Sequence, residues 1–85
     1  MIDFYSSWCG PCKTISPLFE KMSLEFINDI DFYKINVDNS KELSTQFKIT
    51  AMPTFAAFRK GKKVGEVVGA VESEIKALMV KAKAK

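Results

Sequence analysis

Cys9 and Cys12, within Trp8-Cys9-Gly10-Pro11-Cys12-Lys13, are the residues of this chain best equipped to do chemistry, and they are its only two cysteines. Each can bond only the other or a second molecule. Two thiols separated by two residues, where a strand-like run gives way to a helical pattern, form the layout of a reversible dithiol/disulfide couple. Residues three apart on a helix share a face with Cα atoms about 5 Å apart, inside the roughly 4.4–6.8 Å range of a disulfide. A bridge across so short a loop restricts the unfolded chain little, so redox chemistry in a reducing compartment is a better account of it than stabilisation. Helix geometry also makes the sulfurs unequal. Cys9, at or just before the first turn, faces unpaired N–H groups and the positive end of the dipole, which favour a thiolate. Cys12, one turn further in, is expected to be less exposed. Pro11 suits a first turn because its missing N–H has no helical partner to lose, and Gly10 lets another polypeptide approach the sulfur.

A Cys-x-x-Cys pair can also be half of a zinc site, but zinc takes about four ligands. The chain has no histidine and no second cysteine pair, so no metal is expected. Inert buried cysteines rarely come as a spaced pair at a helix start. Composition bounds the rest. Eighty-five residues make one small domain, 47% hydrophobic and 12% aromatic, with a formal charge of +3, well away from the disordered class. Much of the basic excess lies in Lys81-Ala82-Lys83-Ala84-Lys85, which reads as a solvated helix end with cations at its C-terminus. There is no basic stripe with a recognition motif, so no nucleic-acid partner is expected. No run approaches a membrane span, and no basic region followed by an apolar stretch opens the chain. It reads as soluble and cytoplasmic, although a mature form that has lost a targeting peptide would look the same.

The elements that must hold the thiols follow from periodicity. Ile2 to Tyr5 is a short strand entering the motif. A helix is expected from Cys9 to about Phe26, with Ile15, Leu18, Phe19, Met22 and Phe26 on one face and a kink at Pro17. Asp31 to Val37 alternates as a second strand, and Asp38-Asn39-Ser40 offers capping residues for a short helix carrying Leu43 and Phe47. Thr54 to Phe58 is nearly all apolar, as a central strand requires, and Lys60-Gly61-Lys62 turns into a strand from Lys63 to Val68. Val71, Ile75, Leu78, Met79 and Ala82 mark a last amphipathic helix. The order β-α-β-α-β-β-α makes the first two strands parallel and the last two antiparallel.

The segments Ile2-Asp3-Phe4-Tyr5-Ser6-Ser7-Trp8-Cys9-Gly10-Pro11-Cys12-Lys13, Lys34-Ile35-Asn36-Val37-Asp38, Ile49-Thr50-Ala51-Met52-Pro53-Thr54 and Val68-Gly69-Ala70 resemble thioredoxin, in order and spacing, over essentially the whole chain. The departure is at the front, where the strand and helix that ordinarily precede the first strand have no counterpart. The resemblance implies an α/β, thioredoxin-like fold, N-terminally shortened over residues 1–85, with a four-stranded mixed sheet flanked by helices. It implies a protein-disulfide reductase in which Cys9 attacks and Cys12 resolves, with no bound cofactor and with NADPH serving indirectly through thioredoxin reductase. Asp3 matches the family's buried acid behind the dithiol, whose pKa burial would raise, unless the strand end leaves it solvated. Lys34 matches the lysine that can pair with that acid. Pro53 resembles the cis-proline packed against the dithiol, which a proline at a strand entry accommodates. The Met52 backbone would then bond an extended substrate like an added strand, and Trp8, Gly10, Pro11, Gly69 and Ala70 complete the substrate-binding surface.

Two other classes share these features. A non-catalytic thioredoxin-like module that binds a partner protein would tolerate loss of either cysteine. A disulfide oxidase or isomerase is disfavoured by the residues between the cysteines, because no imidazole is there to stabilise the Cys9 thiolate further. With no strand ahead of it, Asp31–Val37 is expected at a sheet edge, with the first strand between it and Thr54–Phe58. Unpaired backbone there, beside apolar side chains such as Phe32, invites self-association.

Overall fold

A computed structural model describes residues 1–83. Ala84 and Lys85, the end of the basic tail, lie outside the described residues. The element order is β1 (Ile2–Tyr5), α1 (Gly10–Ser23), β2 (Tyr33–Asn36), α2 (Lys41–Gln46), β3 (Thr54–Arg59), β4 (Lys62–Val68) and α3 (Glu72–Lys83). The sheet runs β2-β1-β3-β4. β1 is parallel to β2 and antiparallel to β3, and β3 is antiparallel to β4. The expected topology, with β1 between β2 and β3, is the one found. No helix among the described residues is long and apolar enough to cross a membrane.

Alternation along the strands splits the core into two layers. Phe55 and Ala57 of β3 face α1 and α3, where Ile15, Phe19, Met22, Ile75, Leu78 and Met79 bury the larger cluster. Phe4, Ala56 and Val37 face the other way and are covered by Phe47, Ile49, Met52 and Phe58. Each fully buried aromatic such as Phe4, Phe19 or Phe55 contributes on the order of 2–3 kcal/mol of burial. The central position of β3 explains its nearly continuous apolar run, since both faces are covered.

Several boundaries differ from expectation for identifiable reasons. α1 runs through Pro17 but ends at Ser23. Beyond it the amides of Glu25 and Phe26 bond the carbonyls three residues back, a tightening that uses up the helical register. Phe26 still reaches the core, whereas Leu18, expected on the buried face, is exposed. β2 is only four residues long, and Phe32 is not on an open edge: it packs edge-to-face on Phe19 with ring centroids 5.8 Å apart. Tyr33 is the exposed apolar residue there. Ser40 is the N-cap of α2 but its side chain makes no capping bond, Leu43 is exposed, and Val71 lies exposed ahead of α3. The β3–β4 turn has Lys60 and Gly61 both at positive φ, 52° and 79°, the two-residue geometry that follows the twist of a hairpin. At the other end of α3, Arg59 Nη2 donates to the carbonyl of Ala82 at 2.9 Å, satisfying a last-turn acceptor.

Candidate active site

β1 ends at Tyr5 and delivers the loop Ser6–Cys9 to the start of α1. Cys9 is the N-cap of that helix, in extended backbone conformation, and its Sγ accepts the Cys12 amide at 3.0 Å. The sulfur therefore occupies the place usually taken by a serine or aspartate oxygen, where helix-end N–H groups stabilise negative charge. Cys9 and Cys12 are joined by a disulfide with Cα atoms 5.2 Å apart, so the structure is the oxidised form. Cys9 is half-buried and Cys12 is buried. Gly10 and Pro11 are both exposed in the first turn. A Cβ on Gly10 would meet nothing within 4 Å, so open approach there does not depend on glycine itself.

Three other segments reach the same end of the sheet. The C-terminal ends of β1, β2 and β4 and the N-terminal end of β3 coincide because β3 runs against its neighbours. Pro53, at the entry to β3, follows a cis peptide bond from Met52 and is fully buried. Its carbonyl accepts the Gly69 amide at 2.8 Å, which fixes the exit of β4 beside the entry of β3. Gly69 holds φ at 108°, a conformation that side chains disfavour. Met52 and Gly69 are half-buried and Ala70 is exposed. Trp8 is 89% exposed, a surface residue rather than a core one.

Asp3 is placed by register. Its cross-strand neighbours are Phe55 on β3 and Lys34 on β2, so it faces the α1 side of the sheet. Its carboxyl is buried and Oδ1 has no hydrogen-bond partner. Burial raises its pKa from 3.8 to about 6; the Lys34 charge pulls it down and the Glu20 charge pushes it up. Lys34 does not bond Asp3, contrary to the expected pairing. Its Nζ donates to Ser16 Oγ at 3.0 Å and pairs with Glu20 Oε1 at 3.4 Å, over the Tyr5 ring at 5.3 Å. The reason is that α1 offers two acceptors at the exposed rim, whereas reaching Asp3 would bury an ammonium group. Cys12, Tyr5, Ser16, Glu20 and Lys34 line one cleft of about 360 Å³, so the charges that act on Asp3 border a space that Cys12 also lines. Ser16 and Glu20 were not recognisable in the sequence. They become partners of Lys34 only once α1 packs on the sheet. Among the described residues no group of three or more His, Cys, Asp or Glu side chains could hold a metal ion.

Comparison with known proteins fits this geometry. A family model described as thioredoxin matches residues 1–81. The chain is 45% identical to a thioredoxin of Coprinus comatus over 82 residues, covering 95% of this chain and 77% of that protein. It is 45% identical to thioredoxin-1 of Saccharomyces cerevisiae over 76 residues, covering 89% and 73%. The crystal structure of Malassezia sympodialis thioredoxin superposes with a TM-score of 0.93 at 43% identity, covering 98% of this chain and 73% of that one.

Proposed function

The chain belongs to the thioredoxin family and is a protein-disulfide reductase, and we propose that Cys9 is its attacking thiolate and Cys12 its resolving thiol, in a single domain spanning residues 1–85. The observation that carries this assignment is the asymmetry of the pair, with Cys9 at the helix N-cap and Cys12 buried behind it. In the reduced protein the Cys9 thiolate attacks one sulfur of a substrate disulfide. A Cys9–substrate bond forms and the other substrate sulfur leaves as a thiolate. Cys12 then loses its proton and attacks Cys9 Sγ. The Cys9–Cys12 disulfide closes and the second substrate thiolate departs, so two electrons pass from the dithiol to the substrate. No cofactor is needed for this exchange.

Asp3, buried and unpartnered with a pKa of about 6, suits the proton acceptor for Cys12, and Lys34 tunes that carboxyl by its charge rather than by direct contact. Trp8, Gly10, Pro11, Met52, Pro53, Gly69 and Ala70 form the surface that receives the substrate polypeptide, with the Met52 backbone adding it as an extended segment. The electron donor is thioredoxin reductase, supplied in turn by NADPH, and the setting is the cytoplasm, where such electron transport maintains thiol balance. The outer side of β2, which no described strand pairs, with Tyr33 exposed, supports reversible self-association. A constant monomer mass in sedimentation velocity across a concentration series rejects that contact.

The role assignment is tested by single substitutions. Cys9→Ser abolishes turnover with NADPH and reductase, while Cys12→Ser accumulates mixed disulfides. In the reduced wild type, Cys9 is alkylated at neutral pH much faster than Cys12. Equal alkylation rates reject the assignment, and turnover with glutathione instead of reductase rejects the proposed donor.

A further inference from the structure

Asp38 lies just past β2, 32 residues beyond Ser6 in the chain, yet its carboxylate anchors the loop between β1 and α1. Oδ2 accepts from Ser6 Oγ at 3.0 Å, from the Ser7 amide at 3.2 Å and from Ser7 Oγ at 3.3 Å. Ser6 Oγ accepts in turn from the Trp8 amide at 3.2 Å. Asn36 braces both partners: its Nδ2 donates to Ser7 Oγ at 3.4 Å and its Oδ1 accepts the Asp38 amide at 2.9 Å. A continuous path therefore runs from Asp38 through the Ser6 hydroxyl to the backbone of Trp8.

Cys9 is held by bonds that do not pass through the Ser6 hydroxyl. Its amide donates to the Ser6 carbonyl at 3.2 Å, and its sulfur is fixed by the Cys12 amide at the start of α1. Trp8 is different, because its side chain is almost wholly in solvent and cannot be positioned by packing. What fixes it is its backbone, and the Ser6 hydroxyl is the partner of its amide.

We propose that Asp38 is a positioning residue for recognition of polypeptide substrates, acting through Ser6 on Trp8 and leaving the sulfur chemistry of Cys9 alone. This rests on the reading of Cys9 and Cys12 as the reductase dithiol and of Trp8 as part of the docking surface. A small disulfide needs only the Cys9 sulfur. A protein disulfide must also lie against Trp8, and it loses affinity when the loop that carries Trp8 is untethered.

The test compares insulin with 5,5′-dithiobis(2-nitrobenzoate) as disulfides for the reduced chain. Asp38→Ala raises KM for insulin about three- to tenfold, the scale of losing hydrogen bonds to an ionised group at a partly exposed site. It leaves kcat and the rate with the small disulfide within about twofold, and hydrogen exchange at the Trp8 amide accelerates. Asp38→Asn, which keeps an acceptor oxygen, recovers most of the loss. Ser6→Ala reproduces the KM increase without touching the carboxylate, and the double variant is no worse than Asp38→Ala alone, as expected for one path. Equal losses on both disulfides, an unchanged KM for insulin, or additive losses in the double variant, each with an active parent chain, overturn this proposal alone. A parent chain that reduces neither disulfide overturns the reductase reading and this proposal with it.

Discussion

Replacing Asp3 by asparagine is expected to stabilise the oxidised protein at neutral pH and to do nothing near pH 4. Asparagine has nearly the same shape and removes only the charge. In the folded state burial lifts the Asp3 pKa from 3.8 to about 6, so between those values the folded protein keeps a proton that the unfolded chain has released. Stability of the parent therefore falls as pH rises from about 4 to about 6 and is level above that, because the group is then ionised in both states. At about 1.4 kcal/mol per pH unit, ionising Asp3 costs the folded state on the order of 3 kcal/mol. Asp3→Asn escapes that cost while keeping a buried polar group, so its advantage grows through the same window and reaches about 2–3 kcal/mol at pH 8. With a urea m-value of about 1 kcal/mol per molar, the midpoint rises by roughly 2–3 M. Urea titrations of the two oxidised proteins from pH 4 to pH 8 measure this directly, and the difference between them cancels the titrating groups that do not act on Asp3. An advantage independent of pH, or a variant less stable than the parent at pH 8, refutes the argument that the cost comes from a buried charge.

Two further outcomes follow from the same packing. Because the Lys34 ammonium lowers the Asp3 pKa, Lys34→Gln is expected to move that pKa upward; a carbon-13 titration of the Asp3 carboxyl reads it, and no movement or a downward one contradicts the electrostatic role. A Cβ built on Gly65 would lie 2.6 Å from Leu78 Cδ1, a buried side chain, so Gly65→Ala is expected to cost about 1–3 kcal/mol of overpacking in a denaturation midpoint. Pairing it with Leu78→Val should recover part of that cost, and a midpoint unchanged by Gly65→Ala would mean that Leu78 simply turns aside.

The dithiol and the order of elements are legible because they are written locally. Cys9 and Cys12 are three apart, β3 announces itself by its apolar run, and Lys60-Gly61 marks the hairpin. Capping chemistry misled at Asp38, since its composition fits a helix start while its carboxylate goes to Ser6 and Ser7 on a distant loop. Periodicity carries α1 on to Phe26 because Phe26 keeps the helical spacing after the backbone has tightened into turns. The resemblance pairs Lys34 with Asp3, but the choice between Asp3 and Glu20 depends on which carboxylate is at the rim, and only packed helices and sheets decide that. Long-range pairing between polar side chains leaves no periodic trace, whereas apolar burial does.

The sheet also has a far end, opposite the disulfide. There the Met1 amine donates to the Asp31 carbonyl at 2.7 Å, and Met1, Arg59 and Ala82 border a common cleft, so both extremities of the described chain emerge on the side away from Cys9. That polarity makes the molecule easy to hold without covering its working face. A handle at either extremity, used to graft the chain onto a bead or an electrode, would leave the dithiol directed outward, and reaction with soluble disulfides would then be insensitive to which extremity carries the attachment.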